Sequence, residues 1–129
     1  MIVARALAIL EHGAARHALG SELHGPGHWK RVALAGRHLA APDADMLVVL
    51  LFAMIHDSQR HHDDHDPLHG RRAAAFAQEF ADLVDQAQAR ILAEACADHA
   101  SGRPATITWA RALQAAPLPS WEQLGELLL

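Results

Sequence analysis

Met46-Leu-Val-Val-Leu-Leu-Phe-Ala-Met-Ile55, followed at once by His56-Asp57, is the stretch that decides the fold. It is the one long uninterrupted apolar run in the chain. A helix that is apolar on every side must be surrounded by protein. The run is too short to cross a bilayer, which takes about 20 residues. Met46–Ile55 is therefore expected to be a buried central helix. His56 and Asp57 then stand at the edge of the core, where polar groups persist only if hydrogen-bonded, ion-paired or bound to metal.

The flanking sequence extends the helical reading. Ala and Leu are abundant, Tyr is absent, and Val and Ile are sparse outside the central run, a balance that favours helices over strands. The 129 residues, 51% hydrophobic, are enough for one domain with its own core, and no repeat or linker divides them. Helices are expected over about 2–19, 27–39, 43–57, 67–80 and 83–100, with a short one near 106–115 and a last one from Ser120. Gly20 and the loop Ser21-Glu-Leu-His-Gly-Pro-Gly27 supply turn chemistry. Asp43 is the expected cap of the central helix, Asp82 caps the fifth, and Pro67 suits a first turn.

The formal charge is -4, with acids and bases interspersed and no basic stripe, so nucleic-acid binding is not expected as the main role. A single cysteine excludes an internal disulfide framework and fits a reducing cytosol. The segment Met1–Leu10 is too short and too interrupted for a signal peptide. A cytoplasmic protein without a membrane segment is the expectation.

Histidine is the anomalous residue type. Eleven are present, spread from His12 to His99, so they are not a terminal tag. His28 is followed by Val32, Ala35 and Leu39; His69 by Ala73, Phe76 and Phe80; His99 is preceded by Ala95, Leu92 and Ile91. At these spacings each histidine extends the apolar face of its helix and points inward. His28 and His69 open their helices, whereas His56 and His99 close theirs. Consecutive helices joined by short turns pack antiparallel. The arms from His28 to the turn and back to His56 match at roughly 20 Å. Four imidazoles can therefore meet at one end of a bundle. Asp57, rotated by about 100° from His56, can share one ion with it or bridge two. The C-terminal dipole of the central helix also favours a cation there.

His24-Gly-Pro-Gly-His28-Trp29, then Leu51-Phe-Ala-Met-Ile-His-Asp-Ser-Gln-Arg60, Asp63, Asp66-Pro67, His69-Gly70 and Ala95-Cys-Ala-Asp-His99, form an ordered set. Together they resemble a bacterial branch of the HD superfamily of metal-dependent phosphohydrolases, over residues 21–102. The resemblance implies an all-α, HD-domain-like bundle of five to seven helices. It implies His28, His56 and Asp57 as metal ligands. His69 and His99 would bind a second ion, contact substrate or handle protons, and Arg60 would clamp phosphate. Nitrogen-rich ligation with a carboxylate suits Mn, Fe, Zn or Ni better than Mg. The superfamily closes its site with a further Asp on a later helix. Here no Asp follows Asp98, and the matching region, Thr108-Trp109-Ala110-Arg111, carries no carboxylate. Residues 102–129 read as a divergent or truncated tail, in which only Glu122 and Glu126 are acidic.

The expected chemistry is hydrolysis of a small phosphorylated molecule, an ester or nucleotide, with a bound divalent transition ion polarising the phosphoryl oxygen. The alternative is a non-catalytic HD-fold module that binds metal or ligand, or serves as an interaction module. A third reading makes His61, His62 and His65 with Asp63, Asp64 and Asp66 a metal-sequestering surface loop, against the plainer one of a solvated loop. Cys96 reads as a buried inert thiol, and Trp29 as a core residue beside the pocket. The stripe Trp121, Leu124, Leu127, Leu128 either seals the bundle or meets a second subunit in a homodimer.

Overall fold

The helix Met46–Ile55 is central in the computed structural model, which describes residues 2–99 and 118–129. In chain order the elements are α1 (Ile2–Gly13), α2 (Arg16–Gly20), α3 (Pro26–Leu39), α4 (Met46–Ile55), α5 (His69–Phe76), a 3-10 helix (Ala77–Leu83), α6 (Gln86–Asp98) and α7 (Trp121–Leu128). The fold is all-α, with no strand among the described residues. Helix α4 packs against α1, α3, α6 and α7. Its Leu50, Leu51, Ala53, Met54 and Ile55 are wholly buried. Burial of each large side chain contributes about 1.5–3 kcal/mol, so this one helix anchors the core. Among the described residues no helix is long and apolar enough to cross a membrane.

Several boundaries differ from the sequence reading for local reasons. Asp45, not Asp43, caps α4, its carboxylate accepting from the backbone N–H groups of Leu47 and Val48 at 3.1 and 3.2 Å. Pro42 and Asp43 instead occupy a turn closed by Ala44 N–H on the Ala41 carbonyl, a favoured place for proline. The first helix breaks after Gly13, where the chain turns so that Ala15 N–H donates to the Ser58 carbonyl. A β-carbon on Gly13 would lie 2.3 Å from the Phe76 ring, so only glycine allows this approach. Helix α5, within the expected 67–80, tightens at Ala77 into the 3-10 segment, which absorbs Asp82. Asp85 then caps α6 through a reciprocal pairing with Gln88.

Ser120 caps α7 in the same manner with Gln123. Leu124 and Leu128 enter the core, and Gly125 sits so close to α1 that a β-carbon would meet Val3 at 2.6 Å. This part of the apolar stripe seals the bundle, leaving Leu127 and Leu129 outward. Trp121 faces Lys30, whose Nζ lies 5.8 Å from the ring centre. The helix expected near 106–115, and Thr108–Arg111 with it, lie outside the described residues.

Candidate metal centre

Helix ends bring the four histidines together as their spacing predicts. His28 is in the first turn of α3, His56 follows α4, His69 begins α5 and His99 follows α6. Val32, Ala35, Ala73, Phe80 and Leu92 on the corresponding faces are buried. Leu39 and Ile91 are not; the inner face of α6 centres on Leu92 and Cys96, which turns Ile91 outward.

Asp57 is the hub, its side chain only 5% exposed. Its Oδ2 lies 3.4 Å from His28 Nε2 and 3.5 Å from His56 Nε2. Its Oδ1 lies 3.2 Å from His69 Nε2, 3.4 Å from His99 Nε2 and 3.3 Å from Arg60 Nε. Two ligand sets result, His28–His56–Asp57 and Asp57–His69–His99, each with its donor atoms within 4.8 Å of one another. They share the carboxylate, one oxygen apiece.

Backbone carbonyls fix three of the imidazoles. His56 Nδ1 faces the Ala53 and Phe52 carbonyls at 2.9 and 3.1 Å, His69 Nδ1 the Asp66 carbonyl at 2.5 Å, and His99 Nδ1 the Cys96 carbonyl at 2.7 Å. A carbonyl only accepts, so each Nδ1 carries the hydrogen, and in the neutral ring each Nε2 presents a lone pair. His69 Nε2 and His99 Nε2 nevertheless stand 2.8 Å apart. Two lone pairs at that distance repel unless a proton or a cation lies between them. Around one ion with bonds of about 2.05 Å, neighbouring donors sit about 2.9 Å apart at right angles and about 3.4 Å apart at the tetrahedral angle. The separations of 2.8–3.5 Å fit that pattern. These buried His/Asp groups can hold a metal ion.

The electrostatics agree. Burial drives the His56 pKa down to about 4; Asp57 opposes the shift, and His99 and His28 add to it. The ring is thus neutral near pH 7. Burial pushes the Asp57 carboxyl upward, but in acid, where the imidazoles around it carry their second proton, the charge of His56 and hydrogen bonds from His28, His69 and His99 prevail and hold it far below the ordinary carboxylate range. An ionised carboxylate ringed by imidazoles is a hard-oxygen, borderline-nitrogen donor set.

Helix packing sets the closest pair. A β-carbon on Gly70 would meet the Cys96 and Ala97 carbonyls at 2.8 and 3.0 Å. Glycine lets α5 approach the backbone of α6 at the level of His69 and His99. Phe52, half-buried on α4 against the core, stacks on His56 with centroids 5.0 Å apart. Trp29 is fully buried, its Nε1 donating to the His24 carbonyl at 2.6 Å. Arg60 also donates through Nη1 to the Asp64 and His62 carbonyls at 3.1 and 3.4 Å. Glu122 and Glu126 line a groove with Ile2, Val3 and Ala4, and neither joins the His/Asp sets.

The polar loop does not form a third set among the described residues. Its aspartates act as anchors. Asp66 Oδ2 accepts from Arg72 Nη2 at 2.5 Å and from His61 N–H at 3.1 Å. Asp63 Oδ1 accepts from Ser21 Oγ at 2.6 Å, His17 Nε2 at 3.0 Å and His24 Nδ1 at 3.1 Å. Nothing in local spacing marks these contacts, because the partners of Asp63 lie about forty residues away, beyond the reach of any helical period. Comparison with family models, curated proteins and solved structures finds no match.

Proposed function

We propose that this chain is a metal-dependent phosphohydrolase of the HD type, acting on a small phosphate ester or nucleotide. One observation carries the proposal: four imidazole Nε2 atoms face the two oxygens of one buried carboxylate, with three of the rings locked by carbonyls into the metal-binding tautomer. The ordered likeness of His28, His56-Asp57, His69 and His99 to the HD superfamily supports the reaction class. In this reading His28, His56 and Asp57 hold one divalent ion, and Asp57, His69 and His99 hold a second. Imidazole-rich ligation favours Mn, Fe, Zn or Ni over Mg. A divalent ion so held polarises a phosphoryl oxygen and acidifies water. Arg60, fixed through Nε on Asp57 and Nη1 on the loop carbonyls, steadies Asp57 and is the candidate clamp for a phosphoryl oxygen. The single cysteine is consistent with a cytoplasmic setting.

The test is elemental analysis of protein purified without a nickel column, beside His56→Ala and Asp57→Ala, with hydrolysis of generic phosphoesters and nucleotides assayed in added Mn²⁺. Roughly one to two transition ions per chain are expected for this ligand set, with sharp loss of metal and turnover in both variants. Equal metal in all three proteins overturns the assignment. A second reading, a non-catalytic metal- or ligand-binding module, is favoured by the segment Thr108-Trp109-Ala110-Arg111, which carries no carboxylate. Bound metal with no turnover would select it.

A further inference from the structure

We propose that Asp63 is a positioning residue for the metal centre, fastening the turn that carries His28 to the loop that follows His56-Asp57. The inference rests on the metal reading above and concerns how one of its two ligand sets is held in register.

His28 differs from the other three imidazoles. Among the described residues no carbonyl holds its Nδ1; its polar contact is Asp57 Oδ2 at 3.4 Å, and its side chain is 20% exposed. Its orientation therefore depends on what packs against it and on where α3 begins. The rings beside it are His56, centroids 5.4 Å apart, and His24, edge-on at 5.9 Å.

His24 is itself held at four points. Its N–H donates to Ser21 Oγ at 3.0 Å, and its carbonyl accepts from the buried Trp29 Nε1 at 2.6 Å. Its Nδ1 donates to Asp63 Oδ1, and its ring edge meets His28. The same Asp63 oxygen accepts from Ser21 Oγ and His17 Nε2. The turn admits no slack, since a β-carbon on Gly25 would lie 2.1 Å from the Ser21 carbonyl. Asp63 thus does at a distance for His28 what a backbone carbonyl does directly for His56, His69 and His99. Such outer contacts orient metal ligands, and their loss typically weakens metal binding about 10–100-fold.

The experiment measures Co²⁺ affinity by its visible absorption in two backgrounds, each with one ligand set disabled. His99→Ala leaves the set containing His28, and His28→Ala leaves the set containing His69 and His99. Asp63→Ala is expected to weaken Co²⁺ binding at least about tenfold in the His99→Ala protein and by less than about twofold in the His28→Ala protein. Asp63→Asn keeps an acceptor oxygen for Ser21 and His24 and should restore most of the affinity. His65→Ala, an exposed change in the same loop, should leave both affinities unaltered. If Asp63→Ala does not fold, Ser21→Ala, which removes one of the three donors, makes the same comparison. Equal effects of the Asp63 variant in the two backgrounds, or no effect in either, overturn this inference while leaving the metal reading standing. Failure of the unmutated chain to bind Co²⁺ overturns both.

Discussion

Replacing Gly70 by alanine should part α5 from α6 and loosen the metal centre without touching a ligand. The added methyl group would sit 2.8 Å from the Cys96 carbonyl oxygen and 3.0 Å from that of Ala97. Ordinary contact begins near 3.4 Å, so the nearer approach is short by about 0.6 Å. Both obstacles are backbone atoms of α6 and cannot rotate aside. Overpacking of this kind costs about 1–3 kcal/mol. The higher helix propensity of alanine returns at most about 1 kcal/mol. A net loss of about 1–2 kcal/mol lowers the Tm by roughly 4–7 °C for a domain of this size. The displacement falls where His69 Nε2 and His99 Nε2 stand 2.8 Å apart, and it should weaken Co²⁺ binding about tenfold, as outer-contact changes do. Circular dichroism melting in chelator and a Co²⁺ titration measure the two effects. Gly20→Ala is the control: nothing lies within 4 Å of its new methyl group, and a gain of about 0.4–1 kcal/mol is expected from the unfolded state. If Gly70→Ala melts with the parent and binds Co²⁺ as tightly, the helix-approach argument is wrong.

Cys96 is fully buried, and burial with Asp57 nearby pushes its thiol up to about 12. At pH 8 iodoacetamide should therefore label the folded protein at least about a hundredfold more slowly than the denatured chain; fast labelling of folded protein would contradict the burial. Burial raises the Asp66 carboxyl, but Arg72 and the His61 N–H outweigh it and hold the pKa at about 2. A depressed folded value stabilises fully above the unfolded pKa near 3.8, and the benefit fades as pH falls through about 2. Asp66→Asn should thus cost about 2 kcal/mol in urea unfolding at pH 7 and under about 0.5 kcal/mol near pH 2. The same loss at both pH values would show that the ion pair is not its source.

What is legible in the sequence is whatever obeys a short period. The apolar run of α4 and the inward faces through Val32, Ala73 and Leu92 follow from the 3.6-residue repeat, and the matched arm lengths place His28, His56, His69 and His99 at one end. Less legible are choices among near-equivalent neighbours. Asp43 and Asp45 are both good caps, and the turn demanded by Pro42 decides between them. Asp82 and Asp85 differ in that only Asp85 has Gln88 three residues on. Leu124 and Leu127 share a stripe, yet only the first reaches the core. Contacts set by tertiary approach leave no local mark: Asp63 meets Ser21 and His24 only once the bundle has closed. Gly70 reads as an ordinary helical glycine until the carbonyls of α6 are in place.

The balance of charge around Asp57 bears on what such a centre attracts. One carboxylate serves four imidazoles and the Arg60 guanidinium. Neutral imidazoles bring no compensating charge, so under the proposed reading a first divalent cation already exceeds the charge of Asp57, and a second leaves the pocket strongly positive. Behind buried walls that excess is screened far less than at the surface. It opposes the second cation, which makes the two ligand sets unequal. The set in which both imidazoles are pinned by carbonyls is preorganised, whereas the His28 set relies on the turn held by Asp63. The excess also favours an anion over a neutral molecule. Glu122 and Glu126 do not offset it, because both face the groove beside α1. A phosphoryl group would itself bring the negative charge that opposes this excess, so under the proposed reading an anionic ligand strengthens the hold on the cations that a neutral one would leave unbalanced.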